Sequence, residues 1–279
     1  MLLGIIYAIM SLGLSLTLDV MGIVNVAHSV FIMLGSFLAF ELLRTFAIDP
    51  ALSMVIALPV FFLVGAVVER LLIRKVAGRG QIQGLLVLFG LMVAVESIAV
   101  LVWTTDSRVL TVGYSNAHVA FGDITLSDAK IVAAGLSLAL IAAVYLFLHK
   151  TLIGKAIRAM AQNRDAAVML GIDVDRMAMI VFGLGTATAA AGGVALAMNF
   201  PFDPTTHIQY LAWAFLVVIV GGLGGVGNTL VGGLVIGVLQ TLCTALLPFK
   251  YVYLVLYSAL ALALILRGRG LAASTQRSL

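Results

Sequence analysis

Long apolar runs separated by short polar intervals cover almost the whole chain, at roughly 2–18, 20–40, 51–73, 84–103, 129–149, 177–199, 208–222, 229–247 and 251–266. Most approach the ~20 residues that an α-helix needs to cross a hydrocarbon core. None shows the alternating polarity of a transmembrane barrel strand, which spans in only about ten residues. The pattern predicts an all-α, polytopic helical membrane protein with eight or nine membrane segments, some of them short. The longest polar intervals, about 25 residues, leave no room for a soluble domain. A single transmembrane domain over residues 1–279 is therefore expected, and the first run reads as a retained span.

The interval from Lys150 to Met177, KTLIGKAIRAMAQNRDAAVMLGIDVDRM, is the longest one rich in positive charge. It joins two full-length runs. Within it, Asn163 is placed to cap a short helix beginning at Arg164, its side-chain oxygen accepting a backbone N–H one turn on. Gly171 is placed to end that helix in the left-handed C′ position. Asp173 or Asp175 then offers a cap for the next membrane helix. A short helix held by two caps and tied to spans on both sides can transmit a push.

The 279 residues are 63% hydrophobic and 10% charged, where a soluble domain carries about 25% charged residues. The net charge of +4 would suit an acidic partner such as nucleic acid, but in a membrane protein Lys and Arg report orientation. Twelve of the sixteen fall in three places: Arg70, Arg74, Lys75 and Arg79; Lys150, Lys155, Arg158, Arg164 and Arg176; and Arg267, Arg269 and Arg277. These are expected to be cytoplasmic, with the C-terminus inside. Intervals 41–50, 104–128 and 200–207 then face outward. The side of the N-terminus stays open, because either of the first two segments could be a half-span. Lone Cys243, inside an apolar run, reads as a buried thiol, with no disulfide or metal site expected.

Polar residues inside apolar runs carry the candidate chemistry. Asn25, His28 and Ser29 would share one face if their run were helical, and Gly22 just before them could break that helix. Polar groups facing lipid without partners are costly, so they either bond neighbouring spans or line a pathway. Glu96, near the middle of its run, is a second candidate, with His28, a serine or a backbone group as its partner. Interval 104–128 could fold as a short hairpin or a re-entrant turn.

Run 177–199 repeats small residues four apart, Gly183, Ala187 and Ala191, and also Gly185, Ala189 and Gly193. That spacing suits close helix packing in a membrane. Thr186 and Thr188 there either line a cavity or bond back to their own helix. The glycine run Gly221 to Gly227 lacks the Lys and Ser/Thr of a phosphate-binding loop and reads as a tight turn. Gly13-Leu14-Ser15-Leu16 superficially matches an intramembrane serine protease, but no late-span His is available to activate the serine.

Taken together, Gly22-Ile-Val-Asn25-Val-Ala-His28, Gly154-Lys-Ala-Ile-Arg158-Ala-Met-Ala-Gln162-Asn163 with Ala166-Ala167 and Gly171-Ile172, and Gly221-Gly-Leu-Gly-Gly resemble the inner-membrane permeases of branched-chain amino acid ABC importers, the LivH type. The likeness covers nearly the whole chain, although Ser29 stands where that family often has glycine. It implies an ABC-importer permease bundle, not an enzyme. It also implies a second, related permease, two cytoplasmic ATPase subunits that use the ATP, and an extracytoplasmic substrate-binding protein. No cofactor is expected on this chain. Asn25, His28, Ser29 and Glu96 would then belong to the substrate pathway. Arg158, Gln162, Asn163, Arg164, Asp165 and Gly171 would couple it to the ATPase. A urea or amide importer is the alternative within the family. An ion-coupled secondary transporter or channel using Glu96 and His28 is the alternative outside it.

Overall fold

The structure, a computed structural model, describes residues 1–76, 80–111, 118–121, 124–222 and 224–275. Arg79 and Arg277 of the basic clusters, and Leu223 of the glycine run, lie outside these. Helices α1 (Leu2–Met21), α2 (His28–Phe46) and α3 (Pro50–Val68) come first, and α3 continues through a π-helical turn, Glu69–Ile73, into the short α4 (Arg74–Val76). Next come α5 (Gln81–Trp103), an antiparallel hairpin of β1 (His118–Phe121) and β2 (Ile124–Ser127), and α6 (Asp128–Lys150). The chain then forms α7 (Leu152–Gln162), α8 (Arg164–Met169), α9 (Val174–Ala197), α10 (His207–Gly221), α11 (Val226–Leu246) and α12 (Phe249–Thr275). Among the described residues seven helices, α1, α2, α3 with its continuation, α5, α6, α9 and α11, are long and apolar enough to cross a membrane. Helix α10 and the stretch Leu254–Ile265 are shorter apolar helices, so the expected eight or nine segments hold only approximately.

Helices α1 and α9 form the centre, both mostly buried. Helix α9 packs by its small residues, as the four-residue spacing predicts. A Cβ on Gly13 of α1 would stand 2.1 Å from the carbonyl oxygen of Gly185, and one on Gly193 would stand 1.8 Å from that of Ile32 in α2. Only glycine permits such backbone approach, which replaces the hydrophobic drive that is missing between helices in lipid. Ser36 adds a bond to Gly193 O at 2.8 Å. Thr188 bonds back to its own helix, at 3.0 Å from Leu184 O, while Thr186 also reaches Phe61 O of α3 at 2.8 Å.

One face of the bundle gathers α7 and α8, the last turn of α1, the start of α9 and the α10–α11 turn. Asp19, Arg158 and Gly225 border one cavity there, and Arg74 lies against Asp175. This is the basic face. The N-terminal end of α1 therefore lies at the opposite face, where Arg108 and Phe202 pair backbone to backbone. Gly222, Gly224 and Gly225 all have positive φ, which is how the chain turns so tightly between α10 and α11.

Helix α1 ends where Gly22 turns left-handed, φ 66°. Residues 22–27 are not helical, and α2 starts at His28. His28 touches Met10, about 16 Å back along α1 from its C-terminal end at the usual helical rise. The six residues thus re-enter the bundle, and α2 begins deep within it rather than at a face.

Candidate functional site

The re-entrant segment, the start of α2 and the start of α10 bring four polar side chains into the interior. Asn25, His28, Ser29 and His207 are all fully buried. Asn25 lies ahead of α2 rather than on it, so the expectation that residues 25, 28 and 29 share a helix face is corrected: the Gly22 turn ends the helix first. His28 Nε2–H donates to Met10 O at 2.7 Å, since a carbonyl can only accept. Its Nδ1 is then an acceptor with no partner, and neither polar atom of the Asn25 side chain has one. The start of α2 also has no side-chain cap, leaving first-turn N–H groups without helical acceptors.

Ser29 faces α10. Its Oγ lies 3.1 Å from His207 Nδ1, and His207 Nε2 lies 3.3 Å from Glu96 Oε2 on α5. The latter is ion-pair distance without hydrogen-bond alignment. The Ser29 hydroxyl, whose proton goes to Val26 O at 3.1 Å, accepts from His207 Nδ1. The partner of Glu96 is therefore His207, not His28. Glu96 keeps 26% of its side chain exposed, so the chain of groups from α2 through α10 reaches the outer surface of α5. His207 was missed in the sequence because it stands alone after a loop and gains meaning only when α10 packs on α2. The signal before it is PFDPTT: Asp203 accepts from Thr205 N at 2.8 Å and from Thr206 Oγ1 at 2.8 Å. That turn fixes the start of α10. Burial pushes the Asp203 carboxyl up, but the hydrogen bonds from Thr205 and Thr206 outweigh it and hold it below the usual carboxylate range.

On the basic face the expected caps are present. Asn163 Oδ1 accepts from Ala166 N, and Asp173, not Asp175, accepts from Arg176 N, both at 2.9 Å. Gly171 is left-handed, φ 77°, and Ile172 N bonds to Ala167 O. A further cap, Thr151 on Gly154 N at 2.9 Å, starts α7. Arg158 and Gln162 border a cavity of about 300 Å³. Arg164, Asp165 and Gly171 are exposed. Beside them Val168, Met169 and Leu170 form an exposed apolar tip, Met169 at 86%, which the polar reading of this interval had passed over.

The family described as branched-chain amino acid transport system / permease component matches residues 1–266. A probable branched-chain amino acid transport permease protein, LivH, of Methanocaldococcus jannaschii is 31% identical, over 85% of this chain and 76% of its own length. The high-affinity branched-chain amino acid transport system permease protein LivH of Escherichia coli K12 is 28% identical, over 96% and 92%. A ribose import permease protein, RbsC, of Haemophilus influenzae is 26% identical, over 84% and 72%. No solved structure matches.

Proposed function

Because the chain belongs to the family of branched-chain amino acid transport permeases, we propose that it is the membrane-spanning permease subunit of an ATP-driven importer for branched-chain or related small aliphatic amino acids. It would sit in the inner membrane beside a second, related permease, receive substrate from an extracytoplasmic binding protein, and leave ATP hydrolysis to two separate ATPase subunits. The observation that carries the reading is the buried polar group of Asn25, His28, Ser29 and His207 at the interior start of α2, connected to Glu96. Helix starts inside a membrane favour carboxylates, through free N–H groups and the helix dipole. Glu96 offers the opposite charge for an ammonium.

The basic face is read as cytoplasmic by the positive-inside rule, which puts the start of α1 outside. Helix α8 then presents Val168, Met169 and Leu170 to an ATPase. A push on α8 passes through the Asp173 cap into α9, which is packed without slack against α1, α2 and α3. Tilting α9 shifts α2, and with it the polar group at its start. Reconstituted with its partners, the protein should take up leucine only with ATP and binding protein present. Uptake by this chain alone, driven by an ion gradient, would make the Glu96–His207 pair an ion-coupling site and end the importer reading.

A further inference from the structure

The cavity of about 300 Å³ on the basic face is bordered by the last turn of α1, the end of α6, the outer side of α7 and the start of α11. Its size is at the lower end of small-molecule pockets, about 300–1,000 Å³. Two opposite charges border it, Asp19 from α1 and Arg158 from α7. Among the described residues neither makes a hydrogen bond or an ion pair, and Gln162, one turn beyond Arg158, makes none either. Helix α11 begins at the same cavity with no side-chain cap, so its first-turn N–H groups add positive potential on that side. His149, whose Nδ1 bonds to Tyr145 O at 2.9 Å, is a further polar group on the wall, and the other side chains there are apolar, Leu16, Leu148 and Val226 among them.

This set selects its ligand by charge balance. A phosphate or nucleotide would meet Asp19, and a cation would meet Arg158. A molecule with one carboxylate, one ammonium and a short aliphatic side chain satisfies both charges and the apolar wall. We propose that the cavity is a second binding site, facing the cytoplasm, for an aliphatic amino acid zwitterion, with Arg158 and the start of α11 on its carboxylate and Asp19 on its ammonium. Its cytoplasmic side and its role rest on the importer reading. A ligand held there ties α7 to α1 and α11. Since α7 leads into α8, accumulated product would restrain the element on which the ATPase acts.

The test is a titration of the purified full-length protein in detergent with L-leucine, followed by its thermal unfolding temperature. Two probes each lack one charge, 4-methylpentanoate and 3-methylbutylamine. Saturable stabilisation by L-leucine is expected, with each probe at least tenfold weaker. Asp19→Asn and Arg158→Gln should each weaken the L-leucine response at least tenfold. Gln162→Trp, at the exposed rim, blocks the cavity without disturbing buried packing, and so keeps the test decisive should Asp19→Asn fold poorly. No response in the unmodified protein, equal responses to all three compounds, or an unchanged response in the variants overturns the proposal. ATP-driven uptake by the complete complex is measured separately. Its absence would remove the importer reading, while the titration still decides the cavity.

Discussion

His207 is the residue on which the interior polar group depends, because it lies against both Ser29 and Glu96. His207→Ala leaves a half-buried carboxylate without its partner, at about 1–3 kcal/mol, while Ser29 keeps its bond to Val26 O. Uptake should fall at least tenfold, and Ser29→Ala should cost less. The double variant Glu96→Gln with His207→Ala should be no worse than the poorer single, since the two act as one unit; additive losses would separate them. Asp203 gives a pH signature at the opposite face. Its folded carboxyl is held below the ordinary value, so its contribution is fully present above the ordinary carboxylate range and disappears as pH falls through the depressed one. Unfolding temperatures of the protein and of Asp203→Asn should differ by a few degrees at neutral pH and converge in acid. A gap that persists in acid would show that the turn does not need the charge.

Helix α8 depends on its ends. Gly171 is left-handed with open space where a Cβ would be, so Gly171→Val is opposed by backbone strain alone, roughly 1–2 kcal/mol. The expected result is an assembled complex that hydrolyses ATP with uptake several-fold reduced, and an unchanged ratio of uptake to ATP would remove α8 from the coupling path. The π-helical turn after α3 places Glu69, its side chain only 2% exposed, where Arg74 reaches it at 3.0 Å and also donates to Asp175 O of α9 at 3.0 Å. This clamp joins the ends of α3 and α9. Arg74→Met strands a buried carboxylate and should destabilise by about 1–3 kcal/mol, less than for a fully buried pair because Arg74 is one-third exposed. Adding Glu69→Gln should recover most of it, as read by thermal unfolding. Elements of this kind divide by how local their physics is. The caps at Asn163 and Gly171, the α9 cap as one of Asp173 and Asp175, the glycine turn and the small-residue stripe of α9 could all be read in the chain, since each depends on neighbours a few residues away. The Glu69 clamp and the re-entry at residues 22–27 could not. One was hidden inside a basic cluster, and the other needed the return of His28 to Met10, a contact between two runs that each looked helical throughout.

For the whole molecule, the decisive property is its sidedness, because every proposed role assigns a face. Charge distribution set the expectation, and the fold adds that α7, α8, the end of α1, Arg74 and the α10–α11 turn are gathered on one face, while the Arg108–Phe202 pairing and the start of α1 lie at the other. Cys243 is buried and is the only cysteine, so introduced thiols can be read almost without background. A thiol from Met169→Cys, at the exposed tip of α8, should react with a membrane-impermeant maleimide only in inside-out vesicles. One from Thr205→Cys, in the exposed turn before α10, should react only in right-side-out cells. The reverse pattern would put α8 outside the cell. It would remove the ATPase contact, and the cavity at Asp19 and Arg158 would then face incoming rather than accumulated amino acid. Labelling of Met169→Cys that is further blocked when the ATPase subunits are added would locate their contact on the apolar tip of α8, an exposed feature of this face that charge alone does not explain.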